Sequence, residues 1–143
     1  MGQTVSTTVT RSSPLEHRAV TMEQRAGPIV VVEDDSVILG LMHDALVDEG
    51  FSVLCAERPA DVVHMLREVK PALFLVDIML PDISGMQLAK ELRNSGFPAT
   101  PMVAMSASPF IVDTARKSGL FQDVLAKPFD FEELLTTICR FVP

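Results

Sequence analysis

A chain of 143 residues, 48% hydrophobic and 22% charged, has the length and make-up of one globular domain able to bury its own core. Its net charge of −7 argues against a general nucleic-acid binder, because little is present to displace counterions along a phosphate backbone, and makes basic partners more plausible. No stretch approaches the roughly 20 apolar residues of a bilayer span, and Cys55 and Cys139, without CxxC spacing, read as buried free thiols in a reducing cytoplasm.

Residues 1 to 27 read as a disordered tail, dense in Ser and Thr, interrupted by Pro14 and without helical or strand period, although Leu15 to Arg25 has the makings of a short helix. The opening Met1-Gly2-Gln3-Thr4-Val5-Ser6 matches the N-myristoylation pattern. No polybasic cluster accompanies it, and one acyl chain binds membranes only marginally, so a membrane role is not expected. From residue 28 the pattern is that of one folded domain running to the C-terminus.

Ile29 to Val32 is a β-branched run that ends in Glu33-Asp34-Asp35. Val37, Ile38, Leu41, Met42, Ala45 and Leu46 are spaced for one face of a helix closing at Gly50. Phe51 to Ala56 predicts a second strand, and Ala60 to Lys70 a second helix with Val62, Val63 and Leu66 inward, stopped by Pro71. The run Leu73-Phe74-Leu75-Val76 has no alternation, as expected of a strand covered on both faces, and it stops at Asp77 before Pro81 and Gly85. Ser84 is a good N-cap for a third helix to Asn94, with Gly96 beyond. Pro101 to Met105 is a fourth strand ending at Ser106, Pro109 to Ser118 a short fourth helix, and Asp123 to Ala126 a fifth strand leaving through Lys127-Pro128-Phe129. Asp130 and Glu133 form a capping box for a last helix carrying Phe131, Leu134, Leu135, Ile138 and Phe141.

Five βα units in succession imply an α/β fold, a doubly wound parallel sheet with right-handed crossovers and helices on both faces. Ligands of such sheets bind outside the carboxyl ends of the strands. Four of the five strands end there in a chemically useful residue: Glu33 and Asp34, Asp77, Ser106 and Lys127. Three carboxylates at one mouth repel unless a cation is held among them, and a hard divalent ion such as Mg²⁺ suits oxygen ligands. A carboxylate so held can act as a nucleophile toward phosphorus, with the lysine as a point charge beside the phosphoryl oxygens and the serine hydroxyl as a donor. Each residue also has an ordinary reading: Asp35 caps the first helix, a serine after a strand closes a turn, and a lysine before proline sits in a solvated loop. Their joint occurrence at successive strand ends favours the chemical one.

The segments VVVEDDS, LFLVDIMLPDISG, MVAMSAS and LAKPF closely resemble the receiver domain of two-component response regulators, from about Ile29 to the C-terminus. The resemblance implies a flavodoxin-like five-stranded sheet in the order 2-1-3-4-5. It implies Mg²⁺ bound by Asp34, Asp77 and the backbone carbonyl of Met79, with Glu33 acting through water. Asp77 would accept phosphate from a phosphohistidine of a sensor histidine kinase or histidine phosphotransfer protein. Ser106 would be the switch hydroxyl, with small Ala107 leaving room, Lys127 the phosphate-pairing lysine, and the bond before Pro128 cis. Such a protein catalyses only its own phosphorylation and dephosphorylation. With the chain ending after the fifth helix, no output domain is expected. The output would be a cytoplasmic protein target, docked through the fourth helix, fifth strand and fifth helix, from a monomer or weak homodimer without direct contact to nucleic acid.

Two positions depart from the family. Val124 stands where an aromatic is common, in a chain with no Tyr, and Ser106 to Gly119 is about two residues short; Phe121 is expected to serve in packing. These departures lend some weight to an alternative, a receiver-like interaction module that works without phosphorylation. An aspartyl phosphatase of the haloacid-dehalogenase type would need a second acid where Met79 stands, and no Gly-rich phosphate loop for a nucleotide follows the first strand.

Overall fold

The computed structural model describes residues 27–80 and 84–142; the N-terminal stretch expected to be a disordered tail lies outside them, but for Gly27. Five strands, β1 (Ile29–Val32), β2 (Val53–Ala56), β3 (Leu73–Asp77), β4 (Met102–Ser106) and β5 (Asp123–Ala126), alternate with α1 (Ser36–Asp48), α2 (Pro59–Met65), α3 (Gly85–Asn94), α4 (Pro109–Ser118) and α5 (Phe131–Phe141). All paired strands are parallel and the sheet order is β2-β1-β3-β4-β5. Continuous apolar runs, rather than alternating ones, build the central strands because both sheet faces are covered. Every residue of β1 and the apolar part of β3 is inaccessible to solvent.

Successive side chains of each strand go to opposite faces. On one face Ile29, Val31, Leu73, Leu75, Val103 and Met105 pack against α1 (Leu39, Met42, Leu46) and α5 (Leu134, Ile138). On the other, Val30, Val32, Phe74 and Val76 meet Val62 of α2 and Leu88, Ala89 and Leu92 of α3. Ala115 of α4 closes a smaller cluster with Ile78, Ala104 and Val124, against which Phe121 packs. The helix ends are satisfied locally: the Asp35 carboxylate accepts from the Val37 and Ile38 amides, Ser84 from Gln87, and Asp130 and Glu133 close the expected capping box.

Several sequence expectations are corrected. In α1 Met42 and Leu46 are buried and Ile38 packs against the core as expected, but Leu39 joins them while Val37 and Leu41 are exposed, so the inward face is rotated slightly from the one expected. That stretch is apolar on almost every side, and hydrophobic spacing could not choose among its faces. The second helix ends at Met65 instead of reaching Lys70, with Val63 outward; Pro71 requires Lys70 to be extended, and the chain leaves the helix early to reach β3. Phe131 is also largely outside the core. The cysteines are free, but Cys139 is exposed and Cys55 half-buried. Among the described residues no helix is long and apolar enough to cross a membrane.

The orientation of α1 is testable. Leu39→Ala should lower unfolding free energy by about 2 to 5 kcal/mol, whereas Leu41→Ala should change it by no more than about 0.5 kcal/mol, both read from urea denaturation. The reverse order would mean that α1 is turned as the sequence first suggested.

Candidate functional site

Parallel strands bring their carboxyl ends to one edge of the sheet, and that edge carries the site. Glu33 follows β1 immediately and its N–H donates to Ala56 O at the end of β2. Val32 pairs with Val76, so Glu33 and Asp77 stand level at the mouths of neighbouring strands. Lys127 follows β5, and its N–H donates to Ser106 O at 2.8 Å, which fixes the exit of β5 beside that of β4. The Lys127-Pro128 peptide is cis.

The lysine ammonium reaches back across the sheet edge. Lys127 Nζ lies 2.7 Å from Glu33 Oε1 and 3.0 Å from Asp77 Oδ2, joining residues 94 and 50 positions apart in the chain. The second oxygen of each acid is held by backbone: Asp35 N–H donates to Glu33 Oε2 at 3.2 Å and Met79 N–H donates to Asp77 Oδ1 at 2.9 Å. Glu33 is 1% exposed and Asp77 5%, so these are buried charges whose polar atoms are accounted for.

Asp34 completes the cluster from the solvent side. Glu33, Asp34 and Asp77 each present a carboxylate oxygen, all within 4.8 Å of one another. One ammonium among three acids leaves the group short of positive charge. Burial pushes the Glu33 carboxyl up to about 7, with Lys127 pulling it down and neighbouring Asp77 adding to the rise. Burial disfavours the charged form of Lys127, but its bonds to Glu33 and Asp77 more than offset this and hold its pKa above the usual value. The donor set is entirely hard oxygen, partly open to water, and electrostatically under-compensated. Those are the properties that suit a small hard divalent cation.

The remaining expected residues are at the same edge but differently engaged. Met79 is beside Asp77 through its backbone, and its side chain is exposed. Ser106 is buried at the end of β4, one step beyond the Asp77–Met105 pair. Its Oγ accepts from Ser108 N–H at 3.1 Å, so the hydroxyl is tied into the loop that starts α4. Val124 is packed inside the sheet-to-α4 cluster, where a small side chain fits.

Gly85 matters more than sequence reasoning allowed. Its N–H donates to Ile78 O at 2.8 Å. A Cβ there would lie 2.4 Å from Asp77 O and 2.8 Å from the Ile78 Cα. The first turn of α3 is therefore seated directly on the peptide that carries Asp77, and only a residue without a side chain permits it. The available signal was a glycine in the first turn of an otherwise well-capped helix.

Two outcomes follow from this geometry. A Glu33 carboxyl raised from 4.5 to about 7 makes the folded state bind more protons than the unfolded state in that window. The Glu33 contribution to stability should therefore be greatest at low pH and fall as pH rises from about 4.5 to about 7. Glu33→Gln should flatten that component, as read by subtracting variant from parent urea midpoints across the range. Separately, Gly85→Ala should cost about 1 to 3 kcal/mol and displace the NMR amide signal of Met79, which reports on the Asp77 carboxylate. An unmoved Met79 signal would mean that α3 does not hold the acid in place.

Comparison with known proteins agrees with the architecture. The family model described as "Response regulator receiver domain" matches residues 29–139. The DNA-binding transcriptional regulator NtrC of Proteus hauseri is 34% identical over 118 residues, covering 81% of this chain and 24% of that protein. The regulatory protein AtoC of Escherichia coli (strain K12) is 31% identical over 114 residues, covering 78% of this chain and 24% of that protein. The chain thus spans about a quarter of the length of the curated relatives it matches. Among solved structures, the receiver domain of NtrX from Brucella abortus superposes with a TM-score of 0.72 at 28% identity, covering 78% of this chain and 95% of that one. The response regulator TrrA of Thermotoga maritima, solved in complex with Mg(2+)-BeF, has the same fold, with a TM-score of 0.72 at 24% identity over 81% of this chain and 99% of that one. With a sheet of this order, acids at its carboxyl edge and a family match over residues 29–139, the chain belongs to the receiver domains of two-component response regulators.

Proposed function

We propose that this receiver domain accepts a phosphoryl group on Asp77 from a phosphohistidine of a sensor histidine kinase or histidine phosphotransfer protein, and passes the signal to a protein partner. The observation that carries the reading is the Lys127 ammonium held between Glu33 and Asp77 with the Asp34 carboxylate alongside. Magnesium would be held by Asp34, Asp77 and the Met79 carbonyl, with Glu33 acting through water, and it would supply charge neutralisation for the incoming phosphoryl oxygens.

The chain's own groups then have definite tasks. The Asp77 carboxylate accepts from the ammonium of Lys127 and the amide of Met79, and still has lone pairs for attack. Its oxygen forms the new O–P bond as the P–N bond of the donor imidazole breaks, and the imidazole leaves with the bonding pair. Lys127 is within reach of the oxygens that would flank phosphorus, because it already touches the acceptor carboxylate. Ser106 lies on the next strand end with an O–H that can be donated to one of them while its oxygen keeps the Ser108 amide. Exposed Ala107 leaves that approach open.

A second reading, an interaction module that works without phosphorylation, draws on Val124, which is packed where a swinging aromatic would otherwise connect the site to the surface. One experiment separates the two. Incubation with Mg²⁺ and a small acyl-phosphate donor should give a mass gain of one phosphoryl group that hydroxylamine removes and that Asp77→Asn prevents. Lys127→Ala should slow its formation by about 10²-fold. No adduct with the donor or with any phosphorylated histidine protein would favour the second reading.

A further inference from the structure

At the opposite end of the sheet from the acids, one side chain binds more groups than any helix contact there requires. Arg93, in the last turn of α3, donates through Nη1 to the carbonyls of Phe97 (3.0 Å), Pro98 (3.2 Å) and Thr100 (2.6 Å). Through Nη2 it donates to Leu120 O at 2.8 Å and Gln122 Oε1 at 3.0 Å. Gln122 is itself tied to the start of β4 in both directions: its Oε1 accepts from Met102 N–H at 2.7 Å and its N–H donates to Met102 O at 2.9 Å. A guanidinium is rigid and planar, so bonds along both of its arms hold the two loops in one fixed relation.

Leu120 and Gln122 follow Gly119, the left-handed residue (φ 76°) that ends α4. The end of α4 is further tied by Ser118, whose hydroxyl donates to Ala115 O at 2.7 Å and accepts from Leu120 N–H at 3.1 Å. The start of α4 has no such side-chain network and is held by the partly buried Ile111 and Val112. Phe110 in its first turn is 76% exposed, and Ala115 is the helix's only buried residue. The link of that first turn to the site is the bond from Ser108 N–H to Ser106 Oγ. Thr114 Oγ1 also donates to Phe110 O, a back-bond within the helix that tends to bend it.

We infer that Arg93 is the fulcrum of α4: it pins the helix's C-terminal end to α3 and β4, so that an event at Ser106 displaces only the Phe110 end. The inference rests on the phosphoacceptor reading of the site and adds to it the residue that turns a local change into a directed one. Nine residues separate Phe110 from Gly119, a lever of about 14 Å at the α-helical rise. Without the pin, a pull on Ser108 would be taken up by sliding the whole helix across a face where Ala115 alone is fully buried and Ile111 and Val112 only partly so. Arg93 is a positioning residue; it touches none of the reacting atoms.

The test uses the full chain and backbone amide NMR with Mg²⁺ and beryllium fluoride, a phosphoryl mimic. In the parent protein, amides 107–114 should shift on addition while those of Met102 and residues 119–122 stay. In Arg93→Met the shifts should spread through 119–122, with phosphoacceptance on Asp77 within about twofold of the parent because the site is distant. Gln122→Glu, which keeps the acceptor, should retain the parent pattern. Should Arg93→Met fail to fold, the parent pattern and Gln122→Leu, expected to release 119–122, decide the matter. Equal movement of both ends in the parent protein, or an unchanged pattern in the variants, would overturn the fulcrum alone. Absence of any response at Asp77 or elsewhere would overturn the phosphoacceptor reading and the fulcrum with it.

Discussion

One cation shared by buried acids is the interaction on which this edge of the molecule depends. Lys127 bridges Glu33 and Asp77, and without it two carboxylates would be left facing each other out of water. Isolated buried charge is among the costliest arrangements in a protein, and a pair of like charges is worse. The bridge also sets geometry, because the ammonium cannot be within 3 Å of both acids unless β1, β3 and β5 are in register at their exits. Asp34 then upsets the balance, adding a third acid that the lysine does not meet. The three acids are close enough for one hard divalent cation to be shared among them.

The backbone around Asp77 is constrained as tightly as its side chain. Met79 N–H fixes one carboxylate oxygen, and the first turn of α3 is seated on the Asp77–Ile78 peptide through Gly85. A carboxylate held so firmly at rest would need little rearrangement in the phosphoryl transfer proposed for it. The Ser106 hydroxyl differs: it is bonded to the loop ahead of α4, so a change in its orientation is mechanically connected to a helix with little buried surface.

Much of this was legible in the sequence. The strands were plain because parallel strands covered on both faces are apolar without interruption, and their last residues were plain because a charge cannot lie inside such a run. Asp35, Ser84 and the Asp130–Glu133 pair behaved as their local chemistry dictates, since capping depends on residues three apart. What escaped was whatever depends on residues distant in sequence. The exact facing of α1 is decided by the sheet it lies upon, so Leu39 and Leu41, both at the margins of the expected face, differ completely in place. The outward Cys139 has the same cause. The Arg93 knot could not be read because four of its five acceptors are backbone carbonyls of loops, which leave no signature in residue type.

The 94 positions between Lys127 and Glu33 bear on how the molecule comes into being. During synthesis the acids of the first and third strands leave the ribosome well before the lysine does, and the emerging chain must carry them unpaired and hydrated. Only docking of the fifth strand draws them out of water together. Pairings of such long range form late and slowly. The acidic edge of the sheet is therefore assembled in a single closing step.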